Sequence, residues 1–165
     1  MAASSPPRRF YDGARYQYDH SVGHQVYQLL QLMRREVEHR MAAHDLTDAQ
    51  WRPLWLLAIG QANTPAELAR ELDMDPGALT RLLDRLVAKG LVARERSESD
   101  RRVVQLALTD AGRTVAGQVP HVLAGVNNDF IAGFTRAEWQ QLLALIGRLA
   151  ANGQALQATR TGAAA

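Results

Sequence analysis

Two proline-started helices set a few residues apart constrain this chain more than any other feature. Thr64-Pro65 and Asp75-Pro76 each place a capping side chain before a proline. Proline suits the first helical position because its missing N–H has no intrahelical partner there. Short helices are predicted over residues 65–72 and 76–89, the second stopped by Gly90, which can take the left-handed conformation at a helix C-terminus. The period then changes. Residues 91–96 and 103–108 read as strands, the second alternating Val104, Leu106 and Leu108 with Val103, Gln105 and Ala107, and the intervening 97–102 is polar throughout. Two short helices followed by a hairpin with a charged tip are the order of a winged helix-turn-helix.

The flanks are helical. Val26, Leu29, Leu30, Met33, Val37 and Met41 recur at three- and four-residue steps, so a long amphipathic helix is expected over residues 19–44. Thr47 with Gln50, Thr64 with Glu67 and Thr135 with Glu138 have the capping-box spacing, each ahead of an apolar-periodic run. Thr109-Asp110 caps a further helix from Ala111, in which Gly112, Gly117, Pro120 and Gly125 predict a kink near Pro120. A last helix over residues 136–152 carries Trp139, Leu142, Leu143, Ile146 and Leu149 on one face, more apolar surface than a terminal helix needs in solvent. The expected fold is therefore mainly α with a small β-hairpin wing. Residues 1–18 read as a flexible N-terminal tail, 19–46 and 110–153 as helices of a dimerisation region, 47–109 as the winged lobe, and 154–165 as a loose C-terminal tail.

Composition excludes several functions. The 165 residues contain no cysteine, which removes disulfides, thiolate metal sites and thiol chemistry. No P-loop, dinucleotide fingerprint, nucleophile elbow or zinc-protease motif occurs, so no catalytic residue and no cofactor is assigned. His20 and His24 have the spacing of metal ligands on a helix, and His39, His44 and His121 lie elsewhere; without a clear His/carboxylate cluster no metal site is assigned. No stretch approaches the roughly 20 apolar residues of a membrane span, and the start lacks a secretory apolar run, so a cytoplasmic location is expected.

The formal net charge is only +2, so any argument for nucleic acid rests on where the arginines sit. On the helix after Asp75, Leu79, Leu82, Leu83 and Leu86 share one face. Gly77, Arg81, Asp84 and Ala88 fall opposite, flanked by Thr80 and Arg85, and small Gly77 and Ala78 allow close approach of its N-terminus. Arg81 suits either a bidentate contact to guanine or a phosphate, and Thr80 a phosphate or a thymine methyl. Arg94, Arg96, Arg101 and Arg102 gather on the hairpin, where their mutual repulsion calls for an anion or for relief by Glu95, Glu98 and Asp100.

These residues carry a resemblance. Leu79-Thr80-Arg81-Leu82-Leu83-Asp84-Arg85-Leu86, Gly90-Leu91-Val92, Arg94, Asp100-Arg101-Arg102 and Leu106-Ala107-Leu108-Thr109-Asp110-Ala111-Gly112 resemble the MarR family of winged helix-turn-helix regulators. The resemblance implies a homodimer built by the first and last helices, binding double-stranded operator DNA of pseudo-palindromic sequence. It implies that Arg102 enters the minor groove while Asp100 orients it or braces a neighbouring arginine. It also implies a small phenolic or aromatic carboxylate effector in a pocket lined by the first, second and fifth helices. Residues suited to that ligand are His24, Tyr27, Trp51, Arg52 and Trp55, which combine aromatic walls with a cation. Trp51 and Trp55, one turn apart, equally suit core packing. A winged helix used only for protein interaction is the competing function, since the fold itself does not require DNA.

Overall fold

The computed structural model describes residues 9–96 and 104–162, apart from the side chains of Arg96, Thr161 and Gly162. It divides into two compact units at Val126 and Asn127. The first contains α1 (Val22–Ala42), α2 (Asp48–Ala58), α3 (Pro65–Leu72), α4 (Pro76–Ala88), β1 (Val92–Arg96), β2 (Val104–Leu108), α5 (Asp110–Ala116) and most of α6 (Val119–Phe130). The second holds the end of α6 and α7 (Arg136–Gly162). The fold is thus mainly helical with a two-stranded antiparallel hairpin.

Local chemistry sets the helix starts. Thr64 Oγ1 accepts from the Glu67 N–H at 3.2 Å, and Glu67 Oε2 reaches back to the Thr64 N–H at 3.1 Å. Asp75 Oδ1 accepts from the Ala78 N–H at 2.9 Å, Gln50 Oε1 from the Thr47 N–H at 3.2 Å, and Thr135 Oγ1 from the Glu138 N–H at 3.2 Å. Each such cap stabilises its helix by about 1 kcal/mol. Gly90 has φ of 68°, the left-handed region that releases the chain from α4 into β1.

The core of the first unit is a leucine cluster. Leu79, Leu82, Leu83 and Leu86 of α4 are buried together with Leu54 of α2, Leu68 of α3, and Val92 and Leu106 of the hairpin. Each fully buried leucine stabilises by about 1.5–3 kcal/mol, so one face of α4 is fixed inward and the other necessarily points to solvent. The hairpin pairs Val92 with Leu108 and Arg94 with Leu106. Its second strand is tied beyond the hairpin as well, because the Leu106 N–H donates to the Asn63 carbonyl at 2.8 Å.

The turn after α4 is clamped by α5. Thr109 Oγ1 donates to the Gly90 carbonyl at 2.6 Å and accepts from the Gly112 N–H at 3.0 Å, while the Thr109 N–H donates to the Leu91 carbonyl at 3.1 Å. This draws α5 so close that a Cβ at Gly112 would lie 1.9 Å from the Leu91 oxygen.

Several expected boundaries move. The first helix begins at Val22, not at residue 19, because Ser21 caps it through the His24 N–H at 3.2 Å and Tyr18–His20 form a separate 3-10 turn. Residues 9–18 are not a loose tail. The Tyr11 hydroxyl accepts from the Val22 N–H at 3.0 Å, the Asp12 carboxylate caps a 3-10 turn at Gly13–Arg15, and the Tyr11 and Tyr16 rings lie 5.8 Å apart. The expected kink near Pro120 is a complete break, with α5 ending at Ala116 and Pro120 in the first turn of α6, where its missing N–H costs nothing. The last helix does not stop at residue 152, and 154–162 is helical rather than a loose tail. That stretch is rich in alanine and glutamine, good helix formers that carry no apolar stripe for a periodicity reading to detect. Among the described residues no helix is long and apolar enough to cross a membrane.

Candidate nucleic-acid interface

With its leucine face buried, α4 turns Gly77, Thr80, Arg81, Asp84 and Arg85 outward, all exposed, with Ala78 half-buried at the edge. Arg81 and Arg85 make no ion pair or side-chain hydrogen bond to another described residue, leaving two guanidinium groups available on one surface. The Thr80 hydroxyl donates to the Pro76 carbonyl at 2.8 Å, which holds its methyl and lone pairs in place. Gly77 has a local reason as well. A Cβ there would sit 3.1 Å from Asp75 Oδ1, the oxygen that caps the helix. Arg81 Nη1 would lie 3.8 Å from the same Cβ, so its guanidinium reaches back to the first turn of α4.

Arg94, expected among the DNA-facing arginines of the hairpin, is paired with a carboxylate of α4. Its Nη2 donates to Asp84 Oδ1 at 2.7 Å, joining β1 to the outer face of α4. Neither residue type nor spacing marks Asp84 as the partner, because the two residues lie on different elements and are brought together only by the fold. The side chain of Arg96 and all of Asp100, Arg101 and Arg102 lie outside the described residues, as does Val103. At the other end of α4, Lys89 Nζ donates to the Asp45 carbonyl at 2.6 Å and to its carboxylate at 2.9 Å, fixing the helix on the turn between α1 and α2. Asp45 itself is left-handed, with φ of 54°. This anchor was not legible from sequence, because it joins residues far apart in the chain.

The candidate effector residues separate into two groups. Trp51, Arg52 and Trp55 line one cleft of about 240 Å³ with Leu56, Glu71 and Leu123; both indoles are half-buried and Arg52 is exposed. Trp51 Nε1 donates to Asp48 Oδ1 at 3.2 Å, which fixes its ring. His24 and Tyr27 do not line this cleft. His24 packs against Tyr18, ring centroids 4.3 Å apart, with its Nδ1 buried and without a hydrogen-bond partner among the described residues, and Tyr27 is exposed on α1. A larger cleft of about 470 Å³ is also lined by Trp55, together with residues of β2 and α5, with Arg113 on its wall. Among the described residues no group of histidine and carboxylate side chains is arranged to hold a metal.

Residues 44–103, which contain α2 to α4 and β1, match the sequence profile of the MarR family. The reduced form of MarR from E. coli superposes with a TM-score of 0.70 at 32% identity, over 78% of this chain and 96% of that one. The chain belongs to the MarR family. It is accordingly a winged helix-turn-helix transcriptional regulator and not an enzyme. A cysteine-to-serine variant of E. coli MarR, solved in complex with operator DNA, is similar at 30% identity and a TM-score of 0.68, over 78% of this chain and 92% of that one. The S. aureus MepR–DNA complex shares the fold at 17% identity and a TM-score of 0.69, over 82% of this chain and 99% of that one. Within the MarR family this chain is a DNA-binding regulator, and proteins of the family are dimers.

Proposed function

We propose that this chain binds a pseudo-palindromic operator as a homodimer, represses by occluding a promoter, and is released by a small aromatic carboxylate or phenol. The observation that carries the reading is the outer face of α4. Four buried leucines fix its orientation, and Arg81 and Arg85 stand exposed without a carboxylate. Such a helix offers point charges for phosphate and a fork for guanine O6 and N7. The arginines of the wing, Arg96, Arg101 and Arg102, supply a second contact, with Arg102 in the minor groove and Asp100 orienting it. E. coli MarR, at 30% identity, has been solved on operator DNA, which supports carrying the activity to this chain.

Dimerisation is supported by apolar surface that stays exposed on the helices among the described residues. Val26, Leu29 and Leu30 of α1 and Leu143, Ile146 and Leu149 of α7 are exposed. Burying these in a two-fold interface brings two copies of α4 to successive major grooves, about 34 Å apart. The winged lobe is then residues 47–109, and the dimer region residues 19–46 with the helices after 110. With no cysteine present, the chain cannot itself read thiol oxidation, so a reversible ligand is the fitting signal. The cleft of Trp51, Arg52 and Trp55 suits an aromatic acid, with indole walls and a guanidinium at the rim.

The test is binding of the purified protein to its own upstream intergenic DNA against a scrambled duplex, across salt concentrations. Preference for the upstream duplex with a steep log-log salt slope, about 0.9 per phosphate neutralised, is expected. Equal binding to both duplexes, or binding that survives Arg102→Ala unchanged, would leave the protein-interaction module as the better account.

A further inference from the structure

We propose that Asp84 is a specificity-determining residue that holds Arg94 away from the DNA backbone. This rests on the operator-binding reading above and extends it to how the chain distinguishes operator from bulk DNA. The ion pair spans 2.7 Å between α4 and β1, and both side chains are substantially exposed, Arg94 at 39% and Asp84 at 56%. Folding does not account for it. An exposed pair is worth about 0–1 kcal/mol and is screened by salt, whereas the leucine face and the Lys89 anchor already fix α4.

Its cost to DNA binding is direct. Asp84 stands on the same outward face as Arg81 and Arg85, so an anionic group lies among the cations that meet phosphate. Arg94 is the wing cation that reaches that face among the described residues, and its bond to Asp84 leaves a locally neutral pair where two separate residues would have given a cation and an anion. Binding to arbitrary DNA is driven almost entirely by counting cations against phosphates. Withdrawing one cation therefore weakens non-specific binding, while base contacts from the α4 face are untouched. The pair also ties the orientation of β1, and with it the wing, to α4. Register matters for a matched operator and little for a random duplex.

The experiment compares wild type, Asp84→Asn, Arg94→Ala and the double variant on operator and scrambled duplexes between about 50 and about 200 mM salt. Asparagine keeps the shape of Asp84 but not its charge, and thermal melts of all four proteins check the fold. Asp84→Asn is expected to steepen the salt slope on scrambled DNA by about 0.9, an extra loss of affinity of roughly 3.5-fold across that salt range. Its operator-to-scrambled ratio falls, because the freed Arg94 strengthens non-specific binding. Arg94→Ala keeps the wild-type slope, and adding it to Asp84→Asn abolishes the steepening. The proposal is overturned if Arg94→Ala alone flattens the slope by about 0.9, since Arg94 would then already touch phosphate. It is equally overturned if Asp84→Asn leaves slope and ratio unchanged, or if the double variant keeps the steepening, since the carboxylate would then act without Arg94. Wild type without operator preference is a different failure, of the operator reading itself, and leaves the scrambled-DNA slopes to decide the state of Arg94.

Discussion

Asn63 and Leu106 are joined across 2.8 Å by a backbone hydrogen bond, and the N–H of the same Asn63 donates to Glu67 Oε2 at 2.8 Å. One residue thus grips the second strand of the wing with its carbonyl and the start of α3 with its amide. The hairpin and the helix-turn-helix are connected through main chain as well as through packing.

The acid limb of stability should report this junction. The Asn63 N–H, with the Thr64 hydroxyl and N–H, holds the Glu67 carboxyl below the usual carboxylate range. A group depressed in the folded state contributes stability that is present above its unfolded pKa, about 4.3, and lost as pH falls through the folded value. Urea unfolding from neutral pH down to about pH 3 should show a wild-type midpoint that declines more steeply than that of Glu67→Gln. Parallel curves for the two proteins would mean that the cap does not titrate with folding. Glu138, lowered by the Thr135 N–H, is expected to behave in the same direction at the start of α7.

Leu106→Ala tests the packing side of the same junction. The side chain is 5% exposed on β2, the strand that packs against α2, α3 and α5, so its removal should cost about 2–5 kcal/mol by urea unfolding. A loss well under 1 kcal/mol would show that the wing base collapses freely around the deletion.

Arg81→Ala should separate binding from folding. The side chain is exposed and makes no bond within the described chain, so melting should be unchanged, while operator affinity falls by about 1–3 kcal/mol. If the salt slope also flattens, Arg81 meets phosphate; if sequence preference relaxes at one base pair instead, it reads a base. A variant that binds as well as wild type would remove Arg81 from the interface.

The cleft at Trp51 is open to a fluorescence test. Titrating aromatic carboxylates and phenols should quench the indole emission of Trp51 and Trp55, and an active compound should release operator DNA. Arg52→Ala should weaken carboxylates by about 1–3 kcal/mol and leave neutral phenols nearly unaffected. Quenching without any effect on DNA binding would make the cleft a site of no regulatory consequence, and no quenching would make the two indoles core packing.

What could be read in advance was whatever a few neighbouring residues decide. Thr64 with Glu67, Asp75 with Ala78, and Gly90 after α4 act within one turn, so their spacing carries the information. The leucine face of α4 followed from its period, and with it the outward set that includes Arg81. What escaped depends on distance or on weak patterning. Asp84 with Arg94, and Lys89 with Asp45, are joined by the fold, and nothing in either partner's local sequence names the other. Tyr11 capping Val22 looked like tail because aromatic residues without a period have no helical or strand signature. The far end of α7 was missed because alanine and glutamine favour helix without marking a face.

The contact between Gly112 and the Leu91 carbonyl also bears on how this sequence can drift. A Cβ 1.9 Å from a main-chain oxygen cannot be accommodated by rotating a neighbour, so every alternative at that position displaces backbone at the root of the wing. Gly13, with nothing within 4 Å, has no such neighbour. In a saturation library selected for a folded product, position 112 should retain glycine alone while position 13 diversifies, and tolerance along this chain will follow main-chain proximity rather than residue type.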